Sequence, residues 1–249
     1  MSPTPERARK HALTTTPGGA LGRPRVHLRI ADSTNDRARE LAIAGAPHGT
    51  LVTAAEQRAG RGRQGRRWSA PPGSALLMSL VLREPPALLP LIAALAVCDV
   101  AGEDALIKWP NDVVLARDER LAKLAGILAE GRPQERWAVL GIGLNVAVAI
   151  DELPAELRET AATLARAPSE IEPTLARLLD ALARRLADPS QATLSAWRKR
   201  DALRGRAVRW SDGAGRAEGI DGDGRLVVAL AGGGRATLDA GEVHLERVV

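Results

Sequence analysis

The chain has 249 residues, 45% of them hydrophobic and 26% charged, which excludes a disordered tail protein and a disulfide-stapled miniprotein. Its formal net charge of +5 at pH 7 is local: residues 58–67, RAGRGRQGRR, carry five arginines and no acid, so the rest of the chain is neutral. A local basic patch points to a local anion rather than to a general polyanion partner.

From the N-terminus, residues 1–24 are rich in Pro, Gly and Thr and read as a flexible tail. They hold no apolar core of a secretory signal. RVHLRIADS reads as a strand entering a helix, with Asp32, Ser33, Thr34 and Asn35 as capping candidates and Gly45 as the stop. TLVTAAE (50–56) and SALLMSLVL (74–82) read as strands, and Pro86 to Ala101 as a buried helix ended by Gly102. That helix carries Pro90 and Asp99 and is shorter than the ~20 residues a membrane span needs. ALIKW (105–109), DVVLA (112–116), KLAGILAE (123–130) and RWAVLGIGLNVAV (136–148) are strand-like. Residues 173–187 have the 3.6-residue periodicity of an amphipathic helix, and 191–202 form a second one. After a boundary near 204, short β-type runs alternate with SDGAG, DGDG and AGGG turns, the texture of a small antiparallel barrel. The single cysteine, Cys98, allows no internal disulfide and fits a reducing, cytoplasmic setting.

Four segments carry the chemistry. Gly60, Gly62 and Gly65 match the G-x-G-x-x-G spacing of dinucleotide sites, but RRWSAPPG follows and cannot open the helix such a site requires. The segment reads better as a mobile loop whose arginines fold over an anion, with a solvated basic turn as the plain alternative. In IKWPNDVVL, Lys108 suits phosphate and Asp112 suits Mg²⁺ or a hydroxyl or amine, while Trp109 reads as core. In KLAGILAE, Lys123 stands among apolar residues and either snorkels to water or meets an anion. Only four of the 35 basic residues are lysines, which favours the anion. In GIGLN, Gly141 and Gly143 permit close backbone approach, and Asn145 can pair with a ribose, phosphate or base. There is no Walker A loop, zinc spacing or nucleophile elbow, and His11, His27, His48 and His244 stand in unrelated contexts that read as non-catalytic.

The order DSTND, EQRAGRGRQGRRW, IKWPND, KLAGIL, GIGLN, then a small β-module, resembles the biotin protein ligases over roughly residues 27–249. The resemblance implies an α/β (α+β) catalytic domain (25–204) with the mixed sheet of class II aminoacyl-tRNA synthetases, followed by an SH3-like β-barrel (205–249). It implies a ligase that joins biotin and MgATP into biotinyl-5′-AMP, then transfers the biotinyl group to a lysine of a biotin carboxyl carrier domain of acetyl-CoA carboxylase or a related carboxylase. By the same resemblance Ser33, Thr34 and Gln57 hydrogen-bond the polar rings of biotin, and Arg61 and Arg63 contact carboxylate and phosphates. Trp68 packs on adenine, and Arg66, Lys108, Asn111 and Asn145 lie at the nucleotide. Asp112 lies near Mg²⁺ and orients the acceptor amine, and Lys123 sits at the biotinyl carbonyl and α-phosphate.

Many relatives carry a winged-helix domain before the catalytic part. Only about 24 residues precede it here, so the expectation is a monofunctional ligase that binds no DNA and no membrane, with a homodimer open. Arg58 stands where a small or amide residue is common. A lipoate or octanoate ligase on the same scaffold is the alternative, although the GRGRxG and KWPND pair argues against it. A nucleic-acid-binding module built on Arg58–Arg67 is a distant one, because Trp68 is the single aromatic near that patch and the chain has no Tyr or Phe.

Overall fold

The computed structural model describes residues 21–117, 120–239 and 243–245. The expectation of an N-terminal tail therefore falls, for residues 1–20, outside the described residues, as does His11. Two sheets organise the chain. The larger has seven strands in the order β1-β2-β3-β7-β6-β5-β4. They are β1 (Arg25–Leu28), β2 (Leu51–Ala54), β3 (Ala75–Arg83), β4 (Ala105–Lys108), β5 (Asp112–Arg117), β6 (Arg120–Arg132) and β7 (Trp137–Asn145). β1 and β2 are parallel and every other neighbouring pair is antiparallel, so the sheet is mixed as expected.

Among the described residues five helices accompany it: α1 (Thr34–Ile43), α2 (Leu89–Ala101), the single turn α3 (Ala155–Arg158), α4 (Ile171–Ala187) and α5 (Ser190–Lys199). α1 starts where the sequence offers its caps: Ser33 Oγ accepts from Asp36 N, and Gly45, with φ +87°, lets the chain leave. α2 is apolar all round but for Asp99, and correspondingly has ten of its 13 residues buried. α5 ends at Lys199, three residues short of the expected 202, because Asp201 turns its carboxylate onto the Leu203 N–H and bends the chain.

The two faces of the large sheet differ. Leu76, Met78, Leu80 and Leu82 of β3 join the main core with α2, α4 and α5. The alternate residues face the other way. There Val81 meets Ala38 and Ala42 of α1, and Ala75 and Leu77 meet Val148 and Leu153. α1 covers only one end of this second face, and the middle remains open as a cleft.

The second sheet is antiparallel, in the order β11-β10-β9-β8-β12. Its strands are β8 (Ala207–Trp210), β9 (Gly213–Ile220), β10 (Leu226–Ala229), β11 (Arg235–Leu238) and β12 (His244–Leu245). This is the expected SH3-like unit. It does not hang free: Val208, Ala217, Leu226 and Val228 belong to the same core as α2. Gly224, in the β9–β10 turn, lies so near α2 that a β-carbon there would be 2.7 Å from Leu91. The carbonyl of Gly224 also accepts the indole N–H of Trp109 at 3.1 Å. Trp109 is 2% exposed, the core residue its sequence context indicates, and it ties the KWPND turn to the second sheet.

Candidate active site

The cleft on the open face encloses about 930 Å³ of empty space, its solvent mouth included. Three glycines clear its floor. Gly141 and Gly143 lie on the cleft face of β7, and Gly126 of β6 pairs with Gly143. A β-carbon at Gly141 would stand 2.0 Å from Asn35 Oδ1, and one at Gly143 would stand 2.4 Å from Trp68. Asn35 and the Trp68 indole therefore rest directly on backbone, which is the close approach that GIGLN suggested.

At the α1 end the lining around Thr34 and Gln57 is polar and neutral, beside the carboxylate-paired Arg61. Gln57 Oε1 accepts from Thr34 N at 2.7 Å and is 3.0 Å from Thr34 Oγ1. Ser33, Thr34 and Asn35 are all buried at the helix N-terminus. Asn35 Nδ2 donates to Glu130 Oε2 at 3.0 Å.

The opposite end is cationic. Lys108, Asn111 and Asp112 come from the β4–β5 hairpin, and Lys123 comes from β6. Strand alternation alone would set Lys123 and Gly126, three residues apart, on opposite faces. The β5–β6 register shifts by one residue here: Val113 pairs with Ala125, and Val114 with Lys123. This irregularity turns Lys123 onto the cleft face, where Nζ lies 2.8 Å from Asp112 Oδ1 and 5.7 Å from the Trp68 ring centre. The backbone of Lys123 is held from outside by Thr160 and Ala162.

The arginine loop, residues 58–68, folds as extended chain around one 3₁₀ turn (Arg63–Gly65) and opens no helix, so the dinucleotide reading fails on structure as on sequence. Trp68 N donates to Gly60 O and Gly62 N to Arg66 O, which closes the loop on itself. Arg61 is already engaged by protein carboxylates. Its guanidinium reaches Asp36 at 2.7 Å and Glu130 at 2.8 Å, and Glu130 is shared with Arg39 at 3.0 Å. Burial opposes the charge of Arg61, but these two carboxylates outweigh it and raise its pKa. Arg61 lines the cleft as an anchored cation. Arg63 instead spans to Asn111 Oδ1 at 3.4 Å, while Asn111 Nδ2 is fixed by Ile127 O. Burial presses on the charge of Arg63, Asp112 relieves it and Arg66 adds to it, with a net lowering of its pKa.

Lys108 is pushed down for the same reason: burial first, then repulsion from Lys123 and Arg66, against partial relief from Asp112. The cleft wall thus holds Arg61, Arg63, Arg66, Arg67, Lys108 and Lys123 against one carboxylate, Asp112. Half-buried and exposed cations gathered in such excess favour an anionic ligand. Among the described residues no group of three or more His, Cys, Asp or Glu could hold a metal ion. One carboxylate suits Mg²⁺ arriving on a nucleotide, which takes its other ligands from phosphate and water.

Eleven of the twelve site residues expected from sequence line this one cleft. Asn145 does not. It is 6% exposed at the end of β7, and its Nδ2 donates to Ala162 O at 2.8 Å. Asn35, read in the sequence only as a capping candidate, and Glu130, Asp36 and Gly126 are not singled out for the site there. They are ordinary polar, acidic and small residues whose role arises only when α1 is laid across β6 and β7. The second sheet contributes too: Val243 lines the cleft, and His244 is pushed down by burial and by Lys108 and Arg66. His27 and His48 are elsewhere, bound to Thr53 and to the Arg83 N–H.

Residues 27–146 match the Biotin/lipoate A/B protein ligase family. The chain is 39% identical over 162 residues to the bifunctional ligase/repressor BirA of Bacillus spizizenii, which covers 60% of this chain and 49% of that protein. It thus spans about half the length of that relative. It is 34% identical over 235 residues to the biotin–[acetyl-CoA-carboxylase] ligase of Mycobacterium tuberculosis, covering 86% of each chain. Among solved structures, the biotin protein ligase from Aquifex aeolicus in complex with biotin and ATP superposes with a TM-score of 0.74, at 26% identity, over 90% of this chain and 98% of that one. With its class II synthetase-like sheet, its C-terminal β-unit and a near full-length relative at 34% identity, the chain belongs to the biotin protein ligase family.

Proposed function

We propose that this protein activates biotin with MgATP to biotinyl-5′-AMP and pyrophosphate, and then biotinylates one lysine of a biotin carboxyl carrier domain. The observation that carries this reading is the polarity of one cleft: neutral hydrogen-bonding groups at Thr34 and Gln57, and clustered cations around Asp112 at the other end. A ligand with a polar uncharged ring and a carboxylate tail, meeting a polyphosphate, fits that gradient.

In this reading Ser33, Thr34 and Gln57 hold the ureido ring. The biotin carboxylate lies beside Lys123 and attacks the α-phosphorus. A C–O–P bond forms and pyrophosphate leaves. Both reactants are anions, so the step depends on fixed positive charge, supplied by Lys123, Lys108, Arg63 and Arg66. Trp68 presents a flat wall on which adenine packs, and Asn111 sets the direction of Arg63. Mg²⁺ would come with ATP as substrate, and Asp112 would be the residue to give it one oxygen ligand. In the second step the carrier lysine attacks the acyl carbon, the C–O bond to phosphate breaks and AMP departs. In this reading Asp112 orients the incoming amine. The loop at 58–68 shields the mixed anhydride from water between the steps. Arg61 serves as its fixed end.

The sequence boundaries at 24 and 204 remain part of this proposal, as do a cytoplasmic location and a homodimer. No described helix is long and apolar enough to cross a membrane. ATP–pyrophosphate exchange tests the reading. Exchange should require biotin; exchange supported by lipoate and not by biotin would assign the scaffold to the lipoate branch instead.

A further inference from the structure

Ser79 lies in the middle of β3, is fully buried, and has no part in the reaction above. Its Oγ is 2.6 Å from Asn35 Oδ1 and 2.8 Å from Thr34 Oγ1. Thr34 Oγ1 is in turn 3.0 Å from Gln57 Oε1. Three oxygen–oxygen contacts therefore run in series from Asn35 through Ser79 and Thr34 to Gln57.

The amide orientations at both ends are fixed independently. Gln57 Oε1 accepts the Thr34 backbone N–H at 2.7 Å, and Asn35 Nδ2 donates to Glu130 at 3.0 Å. Both facing atoms are carbonyl oxygens, which accept only. Three contacts then share two protons, one from each hydroxyl. One contact stands without a proton, and two bare oxygens repel most when closest. The longest contact, Thr34 to Gln57, bears this at least cost, because Gln57 Oε1 already has the backbone N–H. The protons fill the two shorter contacts: Ser79 donates to Asn35, and Thr34 donates to Ser79.

We propose that Ser79 is a positioning residue for ligand recognition: by taking the Thr34 proton inward, it leaves Thr34 Oγ1 only lone pairs to offer the cleft, so the site selects a ring that presents an N–H there. This deepens the biotin reading and rests on it. A ureido ring has such N–H groups, and the dithiolane of lipoate has none. A ring atom that is itself an acceptor would meet Thr34 lone pair to lone pair.

The test uses biotin and its two cyclic carbamate isosteres, each with ring oxygen in place of one ureido N–H, in adenylation assays on the full chain. In the native protein the isostere whose oxygen faces Thr34 should lose about 10–100-fold in kcat/KM against biotin, as expected for an unmet buried acceptor. In Ser79→Ala the inward acceptor is gone; Gln57 Oε1 is the other acceptor in reach but already holds the Thr34 backbone N–H, so the hydroxyl can turn to the ring oxygen at little cost and the penalty should fall several-fold. Because the readout is a ratio between ligands, it does not depend on how much of the variant folds. Thr34→Val should also erase the penalty, and adding Ser79→Ala to it should change the ratio no further. A penalty that persists in Ser79→Ala, or a native protein indifferent to both isosteres, overturns the assignment while leaving the biotin reading intact. A native protein without biotin-dependent exchange overturns both.

Discussion

Trp68 rests on Gly143 so closely that a β-carbon at that glycine would stand 2.4 Å from Cε2 of the indole. The opposite glycine, Gly126, completes the seat, with a β-carbon position 3.0 Å from Cζ3. The wall of the cleft is therefore built by what β6 and β7 lack. Gly143→Ala should lift the indole off the sheet, and with it the part of the loop that ends at Trp68. The strand itself tolerates alanine, so the fold should remain. We expect KM for biotin and ATP to rise about tenfold or more, the loss of roughly one good ring contact, with little change in Tm. Unchanged KM values would show that the ring's seat is irrelevant to ligand binding.

Lys123 reaches the site through a one-residue register shift, and its Nζ is 2.8 Å from Asp112, the one carboxylate that lines the cleft among the described residues. Asp112 holds it in place before any substrate arrives. Lys123→Ala removes a fixed charge aimed at the reacting anions, for which a rate loss of about 10²–10³ is typical. We expect that loss in adenylate formation, with an unaltered circular dichroism spectrum. Lys123→Arg should not restore the rate, since a planar fork cannot occupy a position shaped for a compact ammonium. Near-native turnover in Lys123→Ala would remove this residue from the chemistry.

The sequence made the strands, the buried helix and the arginine loop legible because each is written locally, in periodicity, caps and glycines. The same holds for GIGLN, whose glycines could be assigned to close approach before any partner was known. What stayed hidden depends on long-range geometry. The register shift that aims Lys123 has no local signature, because KLAGIL reads as an uninterrupted apolar strand. Arg61 looked like one more phosphate ligand among equals. Only the crossing of α1 over β6, which brings Asp36 and Glu130 to it, reveals an anchored side chain. Asn145 stands apart for the reverse reason: its motif is local, but the chain at Ala162 packs back on β7 and accepts a hydrogen bond from its Nδ2.

Glu130 gathers Asn35, Arg39 and Arg61 at one carboxylate, joining α1, β6 and the start of the loop. Glu130→Gln keeps the shape and removes the charge. Because the arginines are partly exposed, the effect on stability should be modest, about 1 kcal/mol, or a fall of roughly 2–4 °C in Tm for a chain of this size. The effect on function should be larger, since the fixed end of the flap is loosened. Adenylate should escape before transfer, seen as biotin appearing on the lysines of a bystander protein. If bystander labelling stays at the native level while Tm falls, the carboxylate serves only the fold.

Lys108 gives the site a pH dependence whose two signs oppose each other. Burial, helped by Lys123 and Arg66 and resisted by Asp112, holds its pKa below the ordinary 10.5. Below its folded pKa the side chain is charged in both folded and unfolded states, and the buried charge costs the fold stability. Between that pKa and the ordinary one, the unfolded chain binds the extra proton, so folding stability rises with pH across this window. ATP affinity moves the other way. The triphosphate stabilises the ammonium, so binding weakens as pH climbs through the same window and the cation is lost. KM for ATP should therefore rise on the alkaline side while the contribution of Lys108 to stability improves. In Lys108→Arg the guanidinium keeps its proton throughout, so the alkaline rise in KM should vanish even if kcat falls at every pH. An alkaline rise that survives intact in Lys108→Arg would place the titrating group elsewhere in the cleft.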